Sequence, residues 1–97
     1  MDIGEIKYLE VPAKVLKLSE AIRIGSRIRP QCFGEYYLLG GSCALGAAKE
    51  ALGVANDAEL RRMLGLPYDF PLQHIIHRND NGQTREQIAD WLESKGY

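Results

Sequence analysis

Gly40, Gly41, Ser42 and Cys43 run into a stretch of Ala, Leu and Gly that reads as a helix. A thiol at a helix start meets unpaired backbone N–H groups and the positive end of the helix dipole, so its pKa can fall and its thiolate can act as a nucleophile. The same chain offers His74 or His77 as a base, and Asp80 or Asn79 as a group to orient that base. Together these are the parts of a thiol-dependent enzyme site. A plainer account competes with it: Cys43 is a small buried side chain in a closely packed helix, since free cysteines are among the most buried residues.

The piece Gly41-Ser42-Cys43 resembles part of the nucleophile segment of papain-like cysteine proteases. It covers three residues, lacks the aromatic that follows the cysteine, and leaves no room for that family's distant histidine. A metal site would draw on Cys32, Cys43, His74 and His77, but ten residues separate the cysteines, and structural zinc sites pair their ligands at short spacing. Aligning Gly82 with the glycine of a calcium loop puts His77 and Ile88 where acidic ligands belong. The residues therefore call for no metal and no cofactor, and an enzyme is the less favoured reading.

Binding chemistry is carried by two other groups. Arg23, Arg27 and Arg29, with Lys17, face only Glu20 over positions 17–29, while Asp80, Glu86, Asp90 and Glu93 outweigh Arg85 and Lys95 over 80–97. The basic face could hold an acidic partner or RNA, or the two faces could complement each other. Tyr36 and Tyr37 lie in an aromatic, glycine-marked segment that must pack on the body or contact a partner. Ala47 to Leu64 also reads as helix, turn and helix, with Arg61 and Arg62 on the second helix. A duplex reader places base-contacting side chains near the start of that helix. Here the start is Asp57, Ala58 and Glu59, whose two carboxylates repel phosphate. The net charge of −1 gives no support for the basic excess usual in duplex binders.

The elements that must position these residues follow from punctuation and periodicity. With 97 residues, 45% apolar and 26% charged, the chain suits one domain with one modest core. Residues 1–11 mix apolar and charged types and predict a short strand or extended arm, with a helical body over 12–97. Pro12 suits a first helical turn. Ser19 is the expected cap of a helix that buries Leu18, Ala21, Ile22, Gly25 and Ile28 and ends at Pro30. Residues 30–41 read as a connecting segment. Ser42 is the next expected cap, for a helix over 43–52 that stops at Gly53. That helix carries one polar stripe (Gly46, Lys49, Glu50, Gly53) and is otherwise Cys, Ala and Leu, so it belongs at the centre. Asn56 with Glu59, and Thr84 with Gln87, have capping-box spacing. Leu60, Met63 and Leu64 form the stripe of the first capped helix, which Gly65 closes; Gly96 closes the second. Between them, Leu72 to Arg78 has a helical stripe, and Asn79-Asp80-Asn81-Gly82 is a turn signal.

These features predict an all-α single domain of four or five short helices. Its expected core is Ile22, Ile28, Cys43, Ala44, Leu45, Ala48, Leu52, Leu60, Leu64, Ile75, Ile88, Trp91 and Leu92. Two cysteines and no leader-like start predict a cytoplasmic protein with reduced thiols, and no apolar run is long enough for a membrane span. Leu18-Ser19-Glu20-Ala21-Ile22-Arg23, Ser42 to Ala48, and Asn79-Asp80 followed by Thr84 to Leu92 together resemble small bacterial and phage-borne proteins of the domain-of-unknown-function class. That resemblance implies a compact bacterial domain and assigns no activity. The leading expectation for function is a non-enzymatic binding or adaptor module for a protein partner, which could also be a second copy of the chain. A helix-turn-helix regulator of nucleic acid ranks second, and a thiol enzyme centred on Cys43 third.

Overall fold

The computed structural model describes residues 17–97; the arm expected over 1–11 and the helix start at Pro12 lie outside them. Among the described residues the elements are α1 (Leu18–Gly25), β1 (Tyr37–Leu38), β2 (Gly41–Ser42), α2 (Ala44–Leu52), α3 (Asp57–Leu64), α4 (Leu72–Asp80) and α5 (Arg85–Ser94). The chain is predominantly α-helical, as its periodicities require. No helix among these residues is long and apolar enough to cross a membrane.

Three helix starts differ in instructive ways. Thr84 and Gln87 form the expected reciprocal box at α5. At α3, Asn56 Oδ1 accepts from the Glu59 N–H at 2.9 Å, and Glu59 reaches past Asn56 to accept from the Ala55 N–H at 3.0 Å. At α1 the expectation fails. Ser19 is buried in the first turn, and Lys17 stands at the cap position. Two backbone donors find partners from elsewhere: Lys17 N–H bonds the Glu20 carboxylate at 3.0 Å, and Ser19 N–H bonds the Tyr97 carbonyl at 3.0 Å.

The expected connecting segment at 30–41 holds the other correction. Tyr37 pairs with Ser42 and Leu38 with Gly41 in an antiparallel hairpin, and Gln31 forms a parallel bridge to Ser42. Ser42 is thereby taken into β2, with its N–H on Pro30 O (2.8 Å) and its carbonyl accepting from Cys32 N–H (3.0 Å). The cap of α2 passes to Cys43, whose Sγ accepts from Gly46 N–H at 3.4 Å. The α4 helix also runs further than its turn signal suggests, through Asn79 and Asp80.

The core joins Leu18, Ala21 and Ile22 of α1, Cys43 to Leu45 and Ala48 around α2, Leu60 of α3, Leu72 and Ile75 of α4, and Ile88, Ala89 and Leu92 of α5. Phe70 closes one end, with its ring 4.6 Å from that of Tyr97. The α1 and α2 helices meet at Gly25, where an added Cβ would lie 1.8 Å from the Ala47 carbonyl oxygen. Ile28 is the expected core residue that falls outside. It is 50% exposed, because Ser26 accepts the role of C-cap and its hydroxyl bonds the Arg23 carbonyl at 2.7 Å. The helix ends at Gly25, five residues before the expected end at Pro30. Met63 is likewise exposed, and Leu52, Leu64 and Trp91 are half-buried at the margin of the core.

Candidate functional site

Two neighbouring surfaces arise from the segment 30–43: a cleft floored by Cys43, and the hairpin that rises beside it. Both rest on Asn79. This α4 side chain is fully buried, and its carboxamide sits in the ladder like a missing peptide unit. Oδ1 accepts from Ala44 N–H (3.1 Å) and Gln31 Nε2 (2.8 Å); Nδ2 donates to Cys32 O (2.9 Å) and Asp80 Oδ1 (3.1 Å). The amide thereby supplies the first free N–H of α2 with an acceptor, a need left at every helix start. Arg85 fixes the other side. Its guanidinium is buried and donates to Ser42 O and Oγ and to the carbonyls of Ser26 and Arg29. No carboxylate among the described residues pairs with it, and burial lowers its pKa. The carbonyls that follow α1 carry the negative end of the helix dipole and compensate the charge in part.

The cleft has a volume of about 220 Å³ and is lined by Gly34, Glu35, Tyr36, Cys43, Ile76 and Asp80. Gly34 N–H bonds Asp80 Oδ1 at 2.9 Å and holds the 33–36 segment over it. Cys43 and Asp80 thus come together as the thiol-enzyme reading requires, but His74 and His77 are exposed on α4 and line no part of the cleft. The Cys43 thiol is pushed up from its ordinary pKa. Burial is the main cause; the N–H groups of Gly46 and Leu45 pull it down, and Cys32 and Asp80 push it further up. Burial therefore outweighs the helix terminus. Among the described residues no cluster of three His, Cys, Asp or Glu side chains could hold a metal ion.

The hairpin is rooted on the polar stripe of α2. The Tyr37 hydroxyl donates to Gly46 O at 3.0 Å. A Cβ on Gly46 would lie 2.4 Å from the Tyr36 carbonyl oxygen, so only glycine admits the hairpin here. Lys49 is buried under the ring of Tyr36, 3.5 Å from its centroid, and its Nζ lies 2.6 Å from Asp57 Oδ1. The Tyr36 hydroxyl donates to the same carboxylate at 3.1 Å. Desolvation, followed by nearby carboxylates, raises the pKa of both tyrosines. The apex beyond this root is bare. Leu39 is 97% exposed and has φ +51°, the one positive φ outside glycine among the described residues. With Gly40 at φ +82° it forms the two-residue turn whose central positions are usually Asn and Gly. Tyr37 and Leu38 flank it, each nearly half exposed.

The arginines of the basic face separate. Arg23 ties α1 to α5, with Nε 2.9 Å from Glu86, and Nη2 2.6 Å from Asp90 and 2.8 Å from Glu93. Its pKa is raised mainly by the hydrogen bonds to Glu86 and Asp90. Arg29 forks onto Glu50 beside the hairpin, and each raises the other's tendency to ionise. Arg27 is exposed. Arg23 alone of these arginines meets the acidic 80–97 segment, and the three do not form one basic footprint. In the helix-turn-helix candidate, the start of α3 is occupied: Asn56 and Glu59 cap the helix, and Asp57 pairs with Lys49.

Sequence reasoning named Cys43, Asp80, Tyr36 and Tyr37 but missed Asn79 as the hub, Lys49 as a buried charge, and Leu39 as the apex. Leu38-Leu39-Gly40-Gly41 did carry a signal, a glycine at the second position of a two-residue hairpin loop, but two-residue strands give it no periodic flanks. Compared with protein-family models, with curated proteins and with solved structures, the chain matches none.

Proposed function

We propose that the chain is a non-enzymatic binding module for a protein partner, and that the β1–β2 hairpin is its recognition element. The observation that carries this reading is Leu39. A left-handed backbone costs a non-glycine residue roughly 1–2 kcal/mol, and a leucine at full exposure contributes nothing to the core. Asn or Gly at this position would serve the isolated fold better. An apolar side chain held out on a strained turn fits insertion into a pocket of another protein, as strained residues cluster where binding occurs. The root of the hairpin is fixed by Tyr36, Tyr37 and Gly46, so little ordering is required on association. The cleft beside the apex, lined by Arg29, Glu50 and residues 37–41, has its charges paired, which favours a protein surface over an anionic membrane or a nucleic acid.

A photo-crosslinking amino acid placed at position 39 tests this in cells. A discrete adduct with one protein is expected from position 39 and not from position 81, an exposed turn on α4. The adduct from a crosslinker at position 38 should vanish on Leu39→Asp. If positions 39 and 81 give the same diffuse adducts, or Leu39→Asp leaves the position-38 adduct intact, the hairpin is not the recognition element.

A further inference from the structure

Cys32 and Cys43 lie far apart in sequence for a zinc-ligand pair, yet each directly follows one partner of a single parallel bridge. The parallel bridge of Gln31 to Ser42 is complete on both sides, through Ser42 N–H to Pro30 O and Cys32 N–H to Ser42 O. The next pair in that register is Cys32 opposite Cys43, and Cys43 keeps an extended backbone (φ −82°, ψ −179°). Adjacent strands lie about 4.8 Å apart, within the roughly 4.4–6.8 Å that a disulfide needs between its Cα atoms. The side chains also share a face. A Cβ on Gly41 would sit 3.1 Å from the Cys32 Cβ, and positions 41 and 43 project to the same side of a strand. The Tyr36 carbonyl oxygen bridges the two residues: it lies 3.8 Å from Cys32 Sγ and accepts from the Cys43 backbone N–H at 2.9 Å. Both are free and buried, but the cleft reaches Cys43.

We infer that Cys32 and Cys43 are a reversible modification site, a thiol pair that low-molecular-weight disulfides convert to an intramolecular disulfide through the cleft. The Cys43 thiolate attacks one sulfur of oxidised glutathione and expels the first glutathione thiolate. The Cys32 thiolate then attacks the Cys43 sulfur of the mixed disulfide and expels the second. Two protein thiols are oxidised, one glutathione disulfide is reduced to two thiols, and the two protons pass from the protein to the departing thiolates. Forming the bond withdraws the Cys32 S–H that points at Glu35 O (3.4 Å), so oxidation acts on the segment that covers the cleft. This inference is independent of the hairpin's partner.

The chain holds two cysteines, so any intramolecular disulfide is this one. The full chain is equilibrated in reduced and oxidised glutathione, acid-quenched, blocked with a maleimide and weighed by mass spectrometry, once folded and once in concentrated guanidinium. If the fold positions the pair, the effective concentration of the two thiols is about tenfold or more higher in the folded chain than in the denatured one. Cys32→Ala and Cys43→Ala chains should give only the glutathione adduct. A folded value equal to or below the denatured one, or disulfides only between two chains, overturns the inference.

Discussion

Asn79 shows how much one side chain decides here. Its amide makes four hydrogen bonds from a fully buried position, and each partner left unpaired in the interior costs about 1–3 kcal/mol. Asn79→Ala should therefore lower stability by about 3 kcal/mol in urea titration, since it orphans the Ala44 N–H and the Cys32 carbonyl. Asn79→Asp should do no better at neutral pH, because a carboxylate cannot donate to the Cys32 carbonyl. A loss below about 1 kcal/mol would mean that the amide is dispensable to the ladder. Leu39 points the other way. Replacing it with Asn, which tolerates the left-handed region, should raise the urea midpoint by an amount equivalent to about 0.5–1 kcal/mol. An unchanged or lower midpoint would remove the claim that Leu39 is held at a cost to the isolated fold.

At the scale of elements, the fold depends on how closely small residues let its parts approach. Gly25 places the last turn of α1 against the backbone of α2, with an added Cβ only 1.8 Å from Ala47 O. Backbone cannot yield as a flexible side chain can, so Gly25→Ala must separate the helices. The expected loss is about 3 kcal/mol in denaturant unfolding. Were the variant as stable as the parent, α1 and α2 could not cross at this distance. The α2 helix itself has almost no free face. Its apolar side packs on α1, α4 and α3, and its polar stripe lies under the hairpin, where Lys49 is shielded by Tyr36 and paired with Asp57. A central position was legible from its alanines. The burial of Lys49 was not, because the covering element consists of two-residue strands that leave no pattern.

For the whole molecule, the charge balance sets how stability responds to pH and salt. The Arg23 cluster joins α1 to α5 through carboxylates that are each at least 60% exposed, so salt screens it readily. Alkaline pH acts through protons the fold retains. The pKa values of Cys43, Tyr36 and Tyr37 are all raised in the folded chain. Their contribution is complete below the unfolded values, about 8.5 for a thiol and about 10 for a phenol, and is lost as pH rises through the folded ones. Urea midpoints should fall progressively above about pH 8.5, with Cys43→Ala removing the first part of the decline. A flat profile up to about pH 10.5 would contradict the raised pKa values of all three groups. Acid acts in the opposite sense at Glu50: its pKa is lowered by Arg29, so its contribution holds above the ordinary carboxylate range and is lost as pH falls through the depressed value.

What the residues determine unaided is local. The cap at Asn56, the box at Thr84, the stops at Gly53 and Gly65, and the apolar faces of five short helices follow from hydrogen-bonding needs and 3.6-residue periodicity within a few positions. The helical class therefore follows from local pattern alone. Tertiary structure decided whatever depends on a distant partner. Ser42 lost its capping role to a ladder with Pro30 and Cys32, Ser19 lost its own to Lys17 and the Tyr97 carbonyl, and Ile28 left the core when Ser26 ended its helix early. The candidate sites fall in the same class. Asn79 reaches its partners across 35 to 48 positions of chain, the two cysteines are neighbours only in a parallel register, and the Cys43 pKa is set by burial against the pull of its helix terminus. A sequence shows the donors at a helix start but not the desolvation that opposes them, because desolvation belongs to the packed assembly.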